Sequence, residues 1–273
     1  MAARLSKISA RRALWPYNGP VLTIALQSGS NGNCIYVEAA GTRLLFDAGI
    51  SGAQAKARLA THGRDIYDVD AVILSHRHGD HTASAGVYQR LFKLPLYATP
   101  ATHHAIARRA GQLAPVHHFQ PGQTLVFGSV QVHTLPTPHD AAESVAFVVM
   151  CEQKRLGILT DLGHPFPELA AALAELDAAF LETNYAPVML AEGTYPPELK
   201  ARIRGDGGHL SNDEAAALLK NCRRHRPSWI ALAHLSAHNN HPDVALQTMR
   251  RELGHDYPLH LTSRSHATDV FTV

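Results

Sequence analysis

The stretch LSHRHGDH, at residues 74–81, follows directly on an apolar run and contains three histidines and one aspartate within six positions. The preceding run, VDAVIL, is typical of a strand that is buried on both faces of a sheet. Histidine is also the unusual residue of the composition, with 19 copies among 273 residues. Because binding side chains are commonly carried where a buried strand ends, the stretch predicts a functional site rather than a polar surface turn.

The spacing inside this stretch suits metal ligation. In an extended backbone, residues two positions apart point the same way, so His76 and His78 can reach one ion. Gly79 lets the chain turn sharply, after which Asp80 and His81 can face a second ion beside the first. Imidazole nitrogen together with carboxylate oxygen suits zinc, manganese or iron, and the absence of cysteine ligands leaves the choice among them open.

One such cluster cannot fill two coordination spheres, so further ligands are expected at other strand ends. His139 follows the predicted strand VQVHTL, Asp161 ends RLGILTD, and His234 ends SWIALAH. A lone histidine or aspartate after a strand is usually a turn residue. Three ligand-type residues, each at the end of an apolar run, together predict one shared site.

Length and composition favour one large α/β domain. The 273 residues are 45% hydrophobic and 18% charged, and the formal net charge of +2 is too weak to indicate nucleic-acid binding by itself. Clusters of strands with helices occur in both halves of the chain, which predicts a four-layer αββα sandwich. We assign residues 21–273 to this domain and residues 1–20 to a basic N-terminal extension, which lacks the apolar segment of a secretory signal.

Two helix starts can be predicted from capping residues. Thr82 precedes a helical pattern that runs to residue 93, and we predict that it is the N-cap. Ser211 and Glu214 have the S-x-x-E spacing of a capping box at the start of a helix over residues 211–225.

The motifs resemble the metallo-β-lactamase superfamily over almost the whole chain from about residue 21. Four short motifs carry the resemblance: HRHGDH (76–81), PTPH (136–139), TDLG (160–163) and AHLS (233–236). Longer segments resemble the YycJ (WalJ)-like branch: SGSNGNC (28–34), LLFDAGIS (44–51), PTPHDAAES (136–144), LETNYAPVML (181–190), YPPELKARIRGDGGHLSN (195–212) and LAHLSAHNN (232–240). The resemblance implies the αββα fold with a dinuclear site at one edge.

The resemblance also implies seven ligands for two divalent ions per chain. Three histidines would bind the first ion: His76, His78 and His139. One aspartate and two histidines would bind the second: Asp80, His81 and His234. Asp161 would bridge the two ions, for which zinc is expected as bound and manganese or iron could serve in activity.

Two positions depart from the pattern of this branch. Arg77 stands inside the first motif where an acid is common, and His238 stands where glutamate is expected. Neither residue is a predicted ligand, so the departures concern substrate preference rather than fold.

The expected chemistry is hydrolysis by a water held between two cations. Ions about 3.5–4 Å apart lower the pKa of a bridging water towards neutrality and stabilise charge on the attacked centre. Asp80 is expected to act in catalysis as an anionic ligand. His209, in GDGGHLSN before the helix capped by Ser211, is the candidate acid for the leaving group, since glycines and a helix N-terminus favour an anion there. An ordinary loop position is the alternative for His209.

The loop SGSNGN (28–33) is a second candidate site, because a loop rich in Gly, Asn and Ser exposes backbone N–H groups that suit phosphate. Three of its residues are candidates for substrate binding: Ser30, Asn31 and Asn33. Asn239, beyond His234, is a fourth candidate. Plain tight turns are the alternative for each of them. Asp47, in LLFDAG, is a candidate buried acceptor that orients a ligand imidazole, with a turn role as its alternative.

Phosphodiester hydrolysis is the leading functional prediction, and the resemblance implies a 5′-to-3′ DNA exonuclease linked to DNA repair. Five arginines lie near His209 in the sequence: Arg202, Arg204, Arg223, Arg224 and Arg226. They could hold a nucleic-acid backbone through phosphate contacts, and exposure on solvated helix faces explains them equally well. A small-molecule or cyclic-nucleotide phosphodiesterase remains open, as does an acyl hydrolase acting on lactones, thioesters or β-lactams. An inert binding module is disfavoured by the complete set of ligands.

Cysteine use and hydropathy bear on location. Cys34, Cys151 and Cys222 are odd in number and far apart, which favours a reducing cytoplasm over a disulfide framework. No apolar run approaches the ~20 residues of a membrane span. We therefore expect a cytoplasmic protein without a membrane segment, and the sequence leaves its oligomeric state open.

Overall fold

In a computed structural model, which describes residues 19–222 and 227–273, the strands form two seven-stranded sheets. The first sheet contains β1 (Leu22–Gln27), β2 (Cys34–Ala39), β3 (Thr42–Phe46), β4 (Ala71–Ile73), β5 (Leu96–Ala98), β6 (His117–His118) and β14 (Phe271–Thr272). Their order across the sheet is β14-β1-β2-β3-β4-β5-β6. Neighbours from β3 to β6 are parallel, while β1 to β3 form an antiparallel meander.

The second sheet repeats this plan. It contains β7 (Thr124–Phe127), β8 (Val130–Pro136), β9 (Val145–Cys151), β10 (Lys154–Leu159), β11 (Ala178–Glu182), β12 (Trp229–Ala233) and β13 (Leu259–Leu261). Their order is β13-β12-β11-β10-β9-β8-β7. The strands β7 to β10 alternate in direction, and β10 to β13 are parallel. The strands β8, β10, β11 and β12 therefore all end at the same edge of this sheet.

Helices cover the outer face of each sheet. On the first sheet lie α1 (Gly52–Ala60), α3 (Ala85–Phe92) and α4 (Pro100–Ala110). On the second sheet lie α5 (Pro167–Leu173), α8 (Asn212–Asn221) and α9 (Pro242–Leu253). Three further helices are α2 (Gly79–Thr82), α6 (Pro187–Glu192) and α7 (Pro197–Arg204), and Ile66–Asp68 form one 3₁₀ turn.

A single apolar layer joins the inner faces of the two sheets. The rings of Phe46 and Phe147, one from each sheet, pack with their centroids 4.9 Å apart, and Phe180 and Ile73 are buried in the same layer. Burial of side chains from both sheets supplies most of the stabilisation, because removal of apolar surface from water is the main favourable contribution to folding. The predicted four-layer αββα sandwich is confirmed.

The two capping predictions had different outcomes. The capping box at α8 is confirmed, since the Ser211 hydroxyl accepts from the Glu214 N–H and the Glu214 carboxylate accepts from the Ser211 N–H. The prediction of Thr82 as an N-cap is wrong. A short helix, α2, starts after His78, and the Thr82 hydroxyl donates to the His78 carbonyl at 2.8 Å within that turn. A second helix, α3, then begins after Ser84.

The basic N-terminal extension lies outside the described residues, apart from positions 19 and 20. Within the described part of the chain, no helix has the combination of length and apolar character that crossing a membrane requires.

The buried thiol of Cys34 should be unreactive in the folded protein. Burial raises its pKa to about 12, and the side chain is inaccessible in β2. At pH 8 its thiolate fraction is then on the order of 10⁻⁴. We expect a disulfide reagent to modify the half-buried Cys222 first and Cys34 only after unfolding in guanidinium. Mass spectrometry of the labelled protein identifies the sites, and rapid labelling of Cys34 in the native protein would contradict this prediction.

Candidate metal centre

Polar side chains meet where strands of both sheets end. His76 follows β4, His139 follows β8, Asp161 follows β10 and His234 follows β12. Since β8, β10, β11 and β12 run parallel, their ends lie at one edge, and the end of β4 in the other sheet faces them. The sequence prediction that separate strand ends share one site is therefore supported by their positions.

Seven side chains form overlapping groups whose ligand atoms lie within 4.8 Å of one another. The first group is His76, His78 and His139. The second group is Asp80, His81 and His234. Asp161 lies between them, with its Oδ2 3.1 Å from His81 Nε2 and its Oδ1 3.7 Å from His139 Nε2. All seven residues singled out from the sequence as ligands are thus brought together.

The first group consists of three imidazoles that converge. Nδ1 of His78 lies 3.0 Å from Nε2 of His76 and 3.2 Å from Nε2 of His139. The remaining nitrogens of two of these rings face other groups: Nδ1 of His139 donates to the carbonyl oxygen of Gly208 at 2.9 Å, and Nε2 of His78 lies 3.3 Å from Oδ1 of Asp140 without a hydrogen bond between them. One nitrogen of each ring is therefore left to face the others, as in a metal site.

Asp47 orients His81, one member of the second group, through a hydrogen bond. It is buried, and its Oδ2 accepts from Nδ1 of His81 at 2.7 Å. It also accepts from the main-chain N–H and the hydroxyl of Ser75, and that hydroxyl lies 3.0 Å from Nδ1 of His76. The prediction that Asp47 is a buried acceptor for an imidazole is confirmed.

Three site residues have a left-handed backbone although none is glycine. The φ angles are 65° at Asp47, 57° at Asp161 and 56° at His234. This conformation is unfavourable for side chains with a Cβ and is retained where the surrounding structure imposes it, often at functional sites. It turns each side chain off the end of its strand towards the cluster.

Replacing Asp47 by Ala should weaken metal binding without removing a ligand. The imidazole of His81 would lose the acceptor that fixes its orientation, and loss of such a partner typically costs about 10- to 100-fold in metal affinity. Competition titration with a chromophoric chelator measures the affinity, and Asp269→Ala, an exposed aspartate, is the matched control. An unchanged affinity in a folded Asp47→Ala variant would show that His81 is positioned by other contacts.

The charges in the cluster are strongly coupled. Burial alone would raise the pKa of Asp161, but the neighbouring His234 and His81 lower it well below its usual range. Burial likewise opposes protonation of His234, yet Asp161 with Asp80 and Glu182 raises its pKa to about 10. Burial lowers the pKa of His78 to about 4. At neutral pH the cluster therefore contains an ionised Asp161 and a neutral His78 beside a protonated His234, and a metal ion that binds His234 would displace its proton.

The residues fit divalent metal ions. Oδ2 of Asp161 is buried and has no hydrogen-bond partner among the described residues. A buried carboxylate oxygen without a partner is costly, and a cation supplies the missing interaction. The donors are nitrogen and oxygen atoms, as expected for zinc, manganese or iron.

Glu182 is a site residue that the sequence interpretation missed. It ends β11, is fully buried, and its Oε1 accepts from Nδ1 of His209 at 2.7 Å. Burial would raise the pKa of Glu182, but His209 lowers it to about 2. Its Oε2 accepts from the Leu162 N–H at 2.9 Å. A charged residue inside the otherwise apolar run AAFLE was the available signal.

His209 lies where the sequence interpretation expected it. Its side chain is 21% exposed and lines the main cavity beside Asp161. Since Nδ1 is bonded to Glu182, Nε2 is the nitrogen available to a ligand. His209 and Glu182 also form a further potential ligand group with Asp161 and His234, so metal binding by His209 is an alternative to proton transfer.

The cavity has a volume of about 370 Å³ and receives side chains from both groups of ligands. Of the four candidate substrate-binding residues, Ser30 lines it. Asn33 is buried, bonded to Gly29 and 3.0 Å from Nε2 of His81, so it holds the loop against a ligand. Asn31 donates to the Arg264 carbonyl, and Asn239 is buried.

The arginines near His209 are placed differently from one another. Arg202 lines the cavity, whereas Arg204 is exposed outside its lining. Three others lie outside the described residues: Arg223, Arg224 and Arg226.

Comparison with known proteins gives one consistent result. Residues 42–230 match the β-lactamase superfamily domain. The chain is 34% identical over 256 residues to exodeoxyribonuclease WalJ of Streptococcus pneumoniae, covering 90% of this chain and 95% of that protein. It is 32% identical over 230 residues to exodeoxyribonuclease YycJ of Bacillus anthracis, covering 84% and 87%. The metallo-β-lactamase fold protein YhfI of Bacillus subtilis superposes with a TM-score of 0.69 at 18% identity, covering 92% and 99%.

Proposed function

The chain belongs to the metallo-β-lactamase superfamily, and on that premise we propose that it is a metal-dependent exonuclease that hydrolyses phosphodiester bonds of DNA. The observation that carries the proposal is that the seven candidate ligands lie in one cluster beside a cavity lined by His209, whose Nδ1 is bonded to Glu182. Two relatives that match most of the chain are named exodeoxyribonucleases, which supports DNA as the substrate. A 5′-to-3′ direction and a role in DNA repair are part of the proposal.

We assign two divalent ions to the cluster. His76, His78 and His139 would hold one, and the other would be held by Asp80, His81 and His234, with Asp161 shared. Three carboxylates lie within or directly behind the ligand groups, and their negative charge favours the binding of cations there: Asp47, Asp80 and Asp161. Zinc is the proposed bound ion, with manganese or iron as alternatives in activity.

The chemistry of the reaction divides between the ions and the chain. Bound divalent ions would supply an activated water and would stabilise negative charge on the attacked phosphate. Glu182 accepts a hydrogen bond from Nδ1 of His209, which leaves Nε2 of that ring facing the cavity. A protonated Nε2 can donate to the oxygen that leaves, and the ionised Glu182 stabilises the positive charge on that ring. Ser30 at the cavity wall is proposed to contact substrate.

A small-molecule phosphodiesterase is the second candidate. The cavity volume of about 370 Å³ lies at the lower end of the range for small-ligand sites, and the net charge of +2 gives no strong attraction to a polyanion. Activity on a cyclic or dinucleotide substrate with none on DNA would favour this candidate.

The test is hydrolysis of DNA labelled at the 5′ or the 3′ end, single-stranded and duplex, with zinc or manganese. We expect short products to be released from the 5′ end, abolition by a chelator, and binding that weakens steeply with salt. Absence of hydrolysis with either metal, or hydrolysis only of esters and lactams, would refute the proposal.

We also propose a cytoplasmic location. The three cysteines are free, and two of them are buried apart from each other, as is usual in a reducing compartment. Fractionation of cells that produce the protein at native levels tests this location.

A further inference from the structure

One wall of the cavity is apolar and aromatic, in contrast to the ligand side chains. Tyr195, Leu199 and Ile203 line it, and all three are half-buried. Leu199 and Ile203 are four positions apart on one face of α7, a helix without a single buried residue. An apolar surface that stays open to solvent inside a cavity of histidines and aspartates is suited to the apolar part of a ligand.

Tyr195 provides the aromatic surface of this wall. The ring of the exposed His238 lies nearby, with the two centroids 5.7 Å apart and the planes inclined by 58°. Aromatic side chains in open grooves stack on nucleobases whatever the sequence, since every base has a π-face.

Arg202 lines the cavity next to this wall, and Arg77, outside the lining, contacts the same neighbour, Asp140. Nε of Arg202, on α7, donates to Oδ2 of Asp140 at 2.6 Å, and Nη2 of Arg77 donates to the main-chain oxygen of Asp140 at 3.2 Å. Both arginines are exposed, and Asp140 directly follows the candidate ligand His139. The three side chains together carry one net positive charge beside the metal centre, which suits contact with a phosphate.

The ring of Tyr195, which precedes α7, and the guanidinium group of Arg202, on α7, are together complementary to the base and the phosphate of one nucleotide. We propose that α7 and Tyr195 bind a nucleotide of an unpaired strand next to the bond that is cut. Its base lies against Tyr195, and its phosphate lies at Arg202 and Arg77. This inference rests on the proposed DNA hydrolysis and specifies the form of DNA: a base stacked inside a duplex presents no face to Tyr195, so the nucleotide bound there comes from a single strand or from an opened duplex end.

The test uses single-stranded DNA in which one residue lacks its base, placed in turn at each of the first three positions from either end. We expect wild-type kcat/KM to fall about tenfold when the abasic residue occupies the Tyr195 subsite. Tyr195→Ala should lose about tenfold on intact DNA and be indifferent to the abasic residue, while Tyr195→Phe should keep the sensitivity.

Arg202→Gln tests the phosphate contact. It should reduce the slope of log affinity against log salt by about 0.7 for single strands, whereas Lys154→Gln, at the exposed start of β10 and at the opposite edge of the sheet, should leave it unchanged. If wild-type enzyme hydrolyses DNA but no abasic position matters, or if Tyr195→Ala stays sensitive, the subsite is refuted and the exonuclease remains. If wild-type enzyme hydrolyses no DNA, the proposed function and this inference both fail.

Discussion

The Asp161→Asn variant should lose hydrolysis of DNA by a factor of about 1,000 or more. Asp161 lies between the two ligand groups, and its Oδ2 is buried without a hydrogen-bond partner among the described residues. The amide has nearly the same shape but lacks the charge that holds cations in place. Stabilisation of reaction charge by bound ions is worth several kcal/mol, and each 1.4 kcal/mol is a factor of ten in rate.

Metal content and rate should be measured together for this variant. We expect less bound metal per chain, determined by elemental analysis after dialysis, and a rate that added metal does not restore. Asp243→Asn removes the charge of an exposed aspartate and should leave both quantities at the wild-type level. An Asp161→Asn protein that retains full metal and near wild-type turnover would refute a shared ligand at this position.

The His209→Ala variant should keep its metal and lose about 100- to 1,000-fold in kcat, the range for removal of a general acid. Glu182→Gln should lose about 100-fold, because the amide oxygen can still accept from Nδ1 of His209 but carries no charge to stabilise a positive ring. The Glu182 carboxylate has a pKa of about 2, so it is ionised throughout the neutral range. Its negative charge is therefore available to stabilise a positive His209 ring at every pH of the neutral range.

A comparison of two substrates with different leaving groups distinguishes proton transfer by His209 from a purely structural role of this residue. The p-nitrophenolate leaving group of bis(p-nitrophenyl) phosphate needs little protonation, so both variants should lose much less activity on it than on DNA. His255→Ala, which removes an exposed imidazole far along the chain, is the matched control. Equal losses on both substrates would argue against an acid role, and loss of metal from His209→Ala would make His209 a ligand.

The sequence predicted most of the metal centre because ligand identity and strand position are local properties. Each of His139, Asp161 and His234 follows an apolar run that can be recognised from its own residues. The capping box at Ser211 was predictable for the same reason, since both partners lie within three residues. The N-cap at Thr82 was not predictable in this way. The short helix α2 begins after His78 and already contains Thr82, and the next helix begins only after Ser84.

Glu182 shows the limit of such interpretation. An acid in an apolar strand indicates a buried partner, but that partner, His209, lies 27 positions further along the chain. The same holds for Asp140, which joins Arg202 on α7 to Arg77 after β4. These pairs depend on which loops meet at the sheet edge.

The sequence alone determined the superfamily, the αββα architecture and the set of candidate ligands, beginning with His76, His78, Asp80 and His81 in one short stretch. Only the tertiary structure decided which nitrogen of each ring is free and which is held by a carboxylate or a carbonyl. It also decided that α7, together with Tyr195 just before it, places an apolar wall and a guanidinium beside the cluster. The physical reason is that hydrogen-bond partners and cavity walls come from segments distant in the chain, whose proximity is set by the packing of the two sheets.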